Sequence, residues 1–422
     1  MTEDFLHYIW QHQLLLPESN RTNEQEVIEV ITPGQNNADA GPDFINTRVR
    51  IGPTLWVGCA EIHIKASDWV RHGHHLDPAY NNVILHVVFQ NDADVFNSKG
   101  QKIPVMELHF KEDYFNNYNR LYSTRTQIAC FDDFNKVDSF SLMTWLERLA
   151  IERLEQKSEA IMHIFDQTGN DWEETLYQQI ARNFGFSLNA LPFESLARSL
   201  PYKTLLKHKD SAFQVEALLF GQSGLLTMDR TDSYQQELYA EYQVLQKKYG
   251  LEPIDGYLWK FLRLRPVNFP SVRLAQFAGL IHQKEHLFSQ IIQLEDLDDF
   301  NRLFDIQASE YWDTHYVFGK DSVSRPKSFG QMAFQTIMIN TVVPFLFIYG
   351  KMRGKEDCSN RAIRLLESLP PERNAILTQW EDLGVDHRDA FASQALLQLK
   401  NKYCSPKRCL HCVIGNHIVK QS

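Results

Sequence analysis

A chain of 422 residues is too long for one ordinary core and implies two or three domains. With 43% hydrophobic and 23% charged residues it has the balance of a folded globular protein, without low-complexity stretches. A formal charge of -10 excludes nucleic-acid binding through bulk charge and leaves that role to local basic patches.

The opening MTEDFLHYIW is acidic and lacks the basic start and long apolar core of a signal peptide. Thr2 is placed to cap a short helix, with Glu3 and Asp4 in its first turn and Phe5, Leu6, Ile9 and Trp10 at helical spacing. Glu26 to Ile31 alternates and is rich in β-branched residues, so it reads as a strand ended by Pro33-Gly34. Phe44 to Ile51 and Leu55 to Lys65 are two further strands, split by Gly52-Pro53 as a hairpin.

A two-residue loop pairs Ile51 with Thr54 and places Asp43 opposite Ile62, while a slip of one residue moves its partner only to Glu61 or His63. Asp43 and Glu61 are therefore neighbours in each register. Alternation puts Glu61, His63 and Lys65 on one face, roughly 6.6 Å apart at each step. Ser67 to Tyr80 is a polar connection or short helix, Val83 to Phe89 a central strand, and Val105 to Phe110 one more.

From Ser139 the apolar spacing changes to three and four, which predicts helices as far as Leu303, then a loop over Tyr311 to Lys327 and helices again from Ala362. The fold class expected is α+β: a small mixed-sheet module over residues 1–135, a helical domain over 136–310, and a helical C-terminal region with a cysteine-rich tail over 311–422. The apolar run at 332–350 is broken by Gln335, Asn340 and Pro344 and reads as a buried helix, not a membrane span. Six cysteines, three of them crowded at the end, suggest a reducing, cytoplasmic setting and a metal site in place of a disulfide framework.

The region from Gly41 to Val88 holds five of the sixteen histidines and four acids, so the chemistry is expected there. Two carboxylates can hold a divalent cation while a nearby basic group deprotonates water for attack on a phosphodiester. Asp43 and Glu61 would bind Mg2+ or Mn2+, His63 or Lys65 would handle the water, and His72 or His74 would assist. Alternatively His72, His74, His75 and Asp77 form a transition-metal site of their own for a hydrolase. His86, between Ile84 and Val88, reads as a hydrogen-bonded core residue.

In the tail, Cys404, Cys409 and Cys412 have spacing able to wrap zinc or hold an iron–sulfur cluster, with His417, His411, Cys358 or Cys130 as the fourth ligand. Lys260, Arg263, Arg265 and Arg273 are interleaved with aromatics, a pattern that can track a nucleic-acid backbone.

Pro42-Asp43 followed by Glu61-Ile62-His63, in the order helix, strand, hairpin, connection, strand, resembles the PD-(D/E)XK nuclease superfamily over residues 5–89. That resemblance implies a metal-dependent nuclease. Histidine at the family's lysine position, followed by Trp69 and His72, His74 and His75, is similar to the very-short-patch mismatch repair nucleases. The tail loosely resembles the iron–sulfur loop of helical DNA glycosylases and the cluster cysteines beside some nuclease domains. The motifs GPDF, EIH with SDW, HGHH with VILHVV, and the terminal cysteines also resemble a bacterial domain-of-unknown-function family over nearly the whole chain. The expected function is a metal-dependent phosphodiesterase acting on nucleic acid; the alternative is a non-catalytic nucleic-acid- or protein-binding scaffold on a degenerate nuclease-like sheet.

Overall fold

The computed structural model describes residues 1–226, 232–284 and 286–421. Two compact units are present: Met1–Trp145 together with Leu399–Ser422, and Leu146–Gln398. The division falls inside the long helix Ser139–Gln167, and the tail belongs with the first residues of the chain instead of with the preceding helices. Three consecutive segments were expected; the grouping differs because the last helix, Val413–Val419, packs on a helix of the first unit.

In the first unit, helix α1 (Glu3–Gln11) starts where Thr2 Oγ1 accepts the amide of Phe5, as the capping sequence predicts. Strands follow as β1 (Ile28–Thr32), β2 (Gln35–Asn36), β3 (Phe44–Ile51) and β4 (Thr54–Lys65). A short helix α2 (Asp68–Arg71) and a 3-10 turn (Pro78–Asn82) lead into β5 (Val83–Gln90), and β6 (Val105–Glu107) completes the sheet. The sheet order is β1-β3-β4-β5-β6, with β2 alongside β3. The pairs β1–β3 and β3–β4 are antiparallel, and the pairs β4–β5 and β5–β6 are parallel. The fold is therefore α+β, with the mixed sheet expected from the alternating runs.

The hairpin closes as its turn dictates, with Ile51 opposite Thr54 across Gly52-Pro53. Farther along, the ladder skips between Phe44 and Thr47, so Phe44 faces Ala60. Asn46 takes a φ of 59° there, a left-handed conformation that asparagine tolerates. The slip moves the register at this end by one residue, and Asp43 still lies beside Glu61 and Ile62.

Helix α1 packs on β4 with Phe5, Leu6, Ile9 and Trp10 buried, while Trp69, Val83, Val88, Val95, Ile103 and Val105 make a second core cluster. The second unit is helical around one large core that includes Phe184, Phe277, Trp312 and Phe345. Its apolar helical run, Gln331–Arg353, is long and apolar enough to cross a membrane, but 72% of that window is buried inside the protein. The expected loop at 311–327 contains a small hairpin, His315–Val317 with Lys320–Asp321.

Candidate metal centre

Glu61 and His63 lie on β4 and are 4% and 2% exposed. Glu61 Oε2 accepts the amide of Asp43 at 3.0 Å, and Asp43 Oδ2 accepts the amide of Ile62 at 2.9 Å. These reciprocal bonds lock the two carboxylates across the strand ends. His7 on α1 adds its Nε2, 3.3 Å from Asp43 Oδ2.

The crossover from β4 to β5 brings the other imidazoles. Asp68 is buried and accepts the Lys65 amide at 3.1 Å while pairing with Arg71 at 2.9 Å, which fixes the start of α2. Trp69 is wholly buried and donates its indole N–H to Phe96 O at 2.9 Å. After α2 the chain reverses at Gly73, whose φ of 81° favours glycine, so His72 and His74 both return to Glu61 and His63.

There the donor atoms converge. His63 Nε2 is 3.0 Å from His72 Nδ1 and 3.7 Å from Glu61 Oε1, and His74 Nε2 is 3.2 Å from the same oxygen. Among the described residues, His63, His72 and His74 form the group whose ligand atoms gather within 4.8 Å of one another. His74 Nε2 is buried without hydrogen-bond geometry to any partner. Donors on one tetrahedral ion at bond lengths near 2.0 Å stand about 3.3 Å apart, so this spacing suits a shared metal. On the far side of the ring, His63 Nδ1 meets Nε2 of the fully buried His86 at 2.9 Å, the kind of partner that fixes a ligand's tautomer. Tyr80 stacks on His74 at 3.8 Å. The cluster is closed except at His72, which is exposed.

The electrostatics describe a site short of positive charge. Burial, the Asp43 carboxylate and Glu3 push Glu61 up to about 8. Burial and the imidazoles of His72 and His74 push His63 down to about 4, so it is neutral and free to ligate. The fold thus prefers Glu61 protonated, and a cation at this site would compete with that proton.

A pH dependence follows for the metal-free protein. Glu61 binds a proton in the folded chain up to about pH 8 but only to about 4.5 when unfolded, so its contribution is lost as pH rises through 8. The opposite shift of His63 is complete above its ordinary 6.5. In EDTA, stability should fall by up to about 2 kcal/mol between pH 6.5 and 8 at roughly 1.36 kcal/mol per unit. Urea unfolding across that range checks this, and Glu61→Gln should flatten the slope.

The remaining expected residues lie elsewhere. Lys65 is exposed at the strand end with its charge acting on Asp92, because the last step of β4 has left the covered part of the sheet. Asp77 does not assemble a separate site with His75: its side chain caps the following 3-10 turn through Ala79 N at 2.9 Å. In the second unit Lys260, Arg263 and Arg265 are exposed, whereas Arg273 is 6% exposed and held by Asn268 and Gln276. Arg273 sits on the buried face of the helix Pro270–Gln283, which takes it off the outer surface shared by the other three. His417 acts on Asp138 and is not among the residues around the tail cysteines; Cys358 is in the second unit beside Arg361.

Sequence reasoning missed Glu3, His7 and the role of His86. Glu3 and His7 are four residues apart on one face of α1, which was the available signal.

An α+β protein whose mixed sheet carries a buried carboxylate–histidine cluster is the class these features define. The chain belongs to the family described as "Protein of unknown function (DUF2851)", whose model matches residues 3–375. No curated protein and no solved structure matches the chain.

Proposed function

We propose that the protein is a metal-dependent phosphodiesterase acting on nucleic acid, with one transition-metal ion held by Glu61, His63, His72 and His74. The observation that carries this reading is the gathering of three imidazole nitrogens, of His63, His72 and His74, within 4.8 Å of one another, with Glu61 Oε1 3.7 Å from His63 Nε2 and 3.2 Å from His74 Nε2. Such a donor set suits Mn2+ or Zn2+ better than Mg2+, which favours oxygen ligands and retains water. When bound, the ion polarises a phosphoryl oxygen and acidifies its water.

The chain's own groups supply the rest. His86 orients His63, and Asp43 aligns His7, which stands beside the cluster as the proton acceptor. Lys65, exposed beside Asp92, is less well placed for that task. His72 is exposed, so the cluster meets solvent on the side where a substrate would approach. The order of α1, an antiparallel hairpin and a parallel crossover strand is the arrangement that the nuclease resemblance implies, and it supports the phosphodiester as the bond cleaved. Lys260, Arg263 and Arg265 offer an exposed basic segment of the kind that follows a phosphate backbone.

The purified chain with Mn2+ should cleave at least one of single-stranded DNA, duplex DNA or RNA, and EDTA should stop it. No cleavage of any of these, with Mn2+ bound, would remove the phosphodiesterase reading. His7→Ala should lower the rate about 10²-fold, the lower end for loss of a general base, with Mn2+ affinity unchanged.

A further inference from the structure

Four of the six cysteines line one cavity, although Cys130 is far along the chain from Cys404, Cys409 and Cys412. Cys130 immediately precedes the 3-10 turn Phe131–Lys136, and Cys404 closes the π-helical turn Lys400–Cys404. Cys409 opens the 3-10 turn Cys409–His411, and Cys412 is the N-cap of the terminal helix Val413–Val419. With Ala129, Tyr403 and Gly415 they line one small cavity of about 20 Å³ in the first unit. All four are free thiols.

The surroundings are those a thiolate needs. Burial raises the Cys412 thiol, while the backbone of Gly415 and Ile414 and the side chain of Trp145 pull it down toward the thiolate. Lys400 acts on Cys404 and Lys407 on Cys409, so cations offset part of the charge that four thiolates would carry. The same lysines tie the tail to the first unit: Lys400 Nζ donates to Gln127 O at 2.9 Å, and Lys407 Nζ to Thr124 O at 2.8 Å. A β-carbon on Gly415 would stand 2.1 Å from Cys409 O, so glycine is what lets the helix approach the Cys409 turn.

With no metal, burial and mutual repulsion push Cys130 up to about 12 and Cys409 up to about 11, leaving buried neutral thiols. Soft metal ions displace those protons and bind thiolate in preference to oxygen donors. Cys130 thereby fills the place that the tail alone, with three cysteines, leaves open.

We propose that Cys130, Cys404, Cys409 and Cys412 bind a thiophilic metal centre, a zinc ion or an iron–sulfur cluster, that clamps the C-terminal tail onto the segment preceding the long helix. The four sulfurs are not gathered as closely as the histidine trio, whose ligand atoms lie within 4.8 Å. Sulfurs on one zinc stand about 3.8 Å apart at a Zn–S length near 2.3 Å, so the wider ring favours the cluster.

The test uses the full-length Glu61→Gln chain, purified without oxygen, so that metal at the histidine cluster does not enter the count. Native mass spectrometry, metal analysis and acid-labile sulfide should report either one zinc, or iron and sulfide with visible charge-transfer absorption. Either result supports the four-thiolate centre and tells the two kinds apart. Adding Cys130→Ser should cut the bound metal at least about tenfold, as loss of a ligand requires, while adding His417→Ala should leave it unchanged. A chain with neither metal at stoichiometric level overturns the proposal without any cysteine variant being needed. Full metal retention after Cys130→Ser overturns the assignment of the fourth ligand.

Discussion

Glu61→Gln is expected to abolish tight Mn2+ binding and lower phosphodiester cleavage by about 10³-fold, at the upper end for removing one preorganised electrostatic group. The amide keeps the shape, and its carbonyl oxygen can still accept the Asp43 amide that Glu61 Oε2 accepts at 3.0 Å. What it removes is the ability to release a proton and present a carboxylate to a cation beside His63 and His74. Because the fold holds this carboxyl protonated up to about 8, the metal-free variant should be at least as stable as the parent above neutrality. Loss of activity with retained or improved stability separates a ligand from a structural residue. Calorimetric titration with Mn2+, single-turnover cleavage and urea unfolding of the same preparation give the three readings. If the variant keeps cleaving with parental Mn2+ dependence, Glu61 is not a ligand.

Trp69→Ala should have the largest effect on stability, about 3–5 kcal/mol, typical of emptying the space of a buried tryptophan. Trp69 is fully buried, its indole N–H is bonded to Phe96 O, and its ring lies against both His74 and His86, at 5.4 and 5.2 Å between centroids. The crossover therefore loses its anchor and its register over Glu61 together. Trp69→Phe, which keeps most of the packing but not the hydrogen bond, should cost about 1–3 kcal/mol, the range for a buried acceptor left unpaired. Thermal unfolding measures the stability, and Mn2+ affinity measures the geometry. In Trp69→Phe the two should fall together. A stable variant with parental affinity would mean that the histidines are placed by something other than this tryptophan.

The pairing of Asp43 with Glu61 was legible because it depends on local facts: a two-residue turn, two alternating strands and a short count along the ladder. The bulge at Asn46 was not, since a one-residue slip leaves no mark in the apolar pattern there. His72 and His74 stood out by composition, but their direction depends on Trp69 and the reversal at Gly73. Alternation alone placed Lys65 with Glu61 and His63; it ignores that the sheet's cover ends first, which leaves that side chain in solvent. Glu3 and His7 reach the site only through packing of α1 on β4, a tertiary fact with no local signal beyond their spacing. Cys130 was one of four candidates for the fourth place beside the tail cysteines, and choosing it over His417, His411 and Cys358 takes the folded first unit, because it stands 274 residues before Cys404.

The central claim is that one ion sits between a strand carboxylate and three imidazoles. A crystal of the protein soaked in Mn2+, measured for anomalous scattering, addresses it directly. The account predicts a single strong peak about 2.0–2.3 Å from Glu61 Oε1, His63 Nε2, His72 Nδ1 and His74 Nε2, the ligand distances usual for such donors. A peak coordinated elsewhere, or no peak at these four atoms under saturating Mn2+, would contradict it.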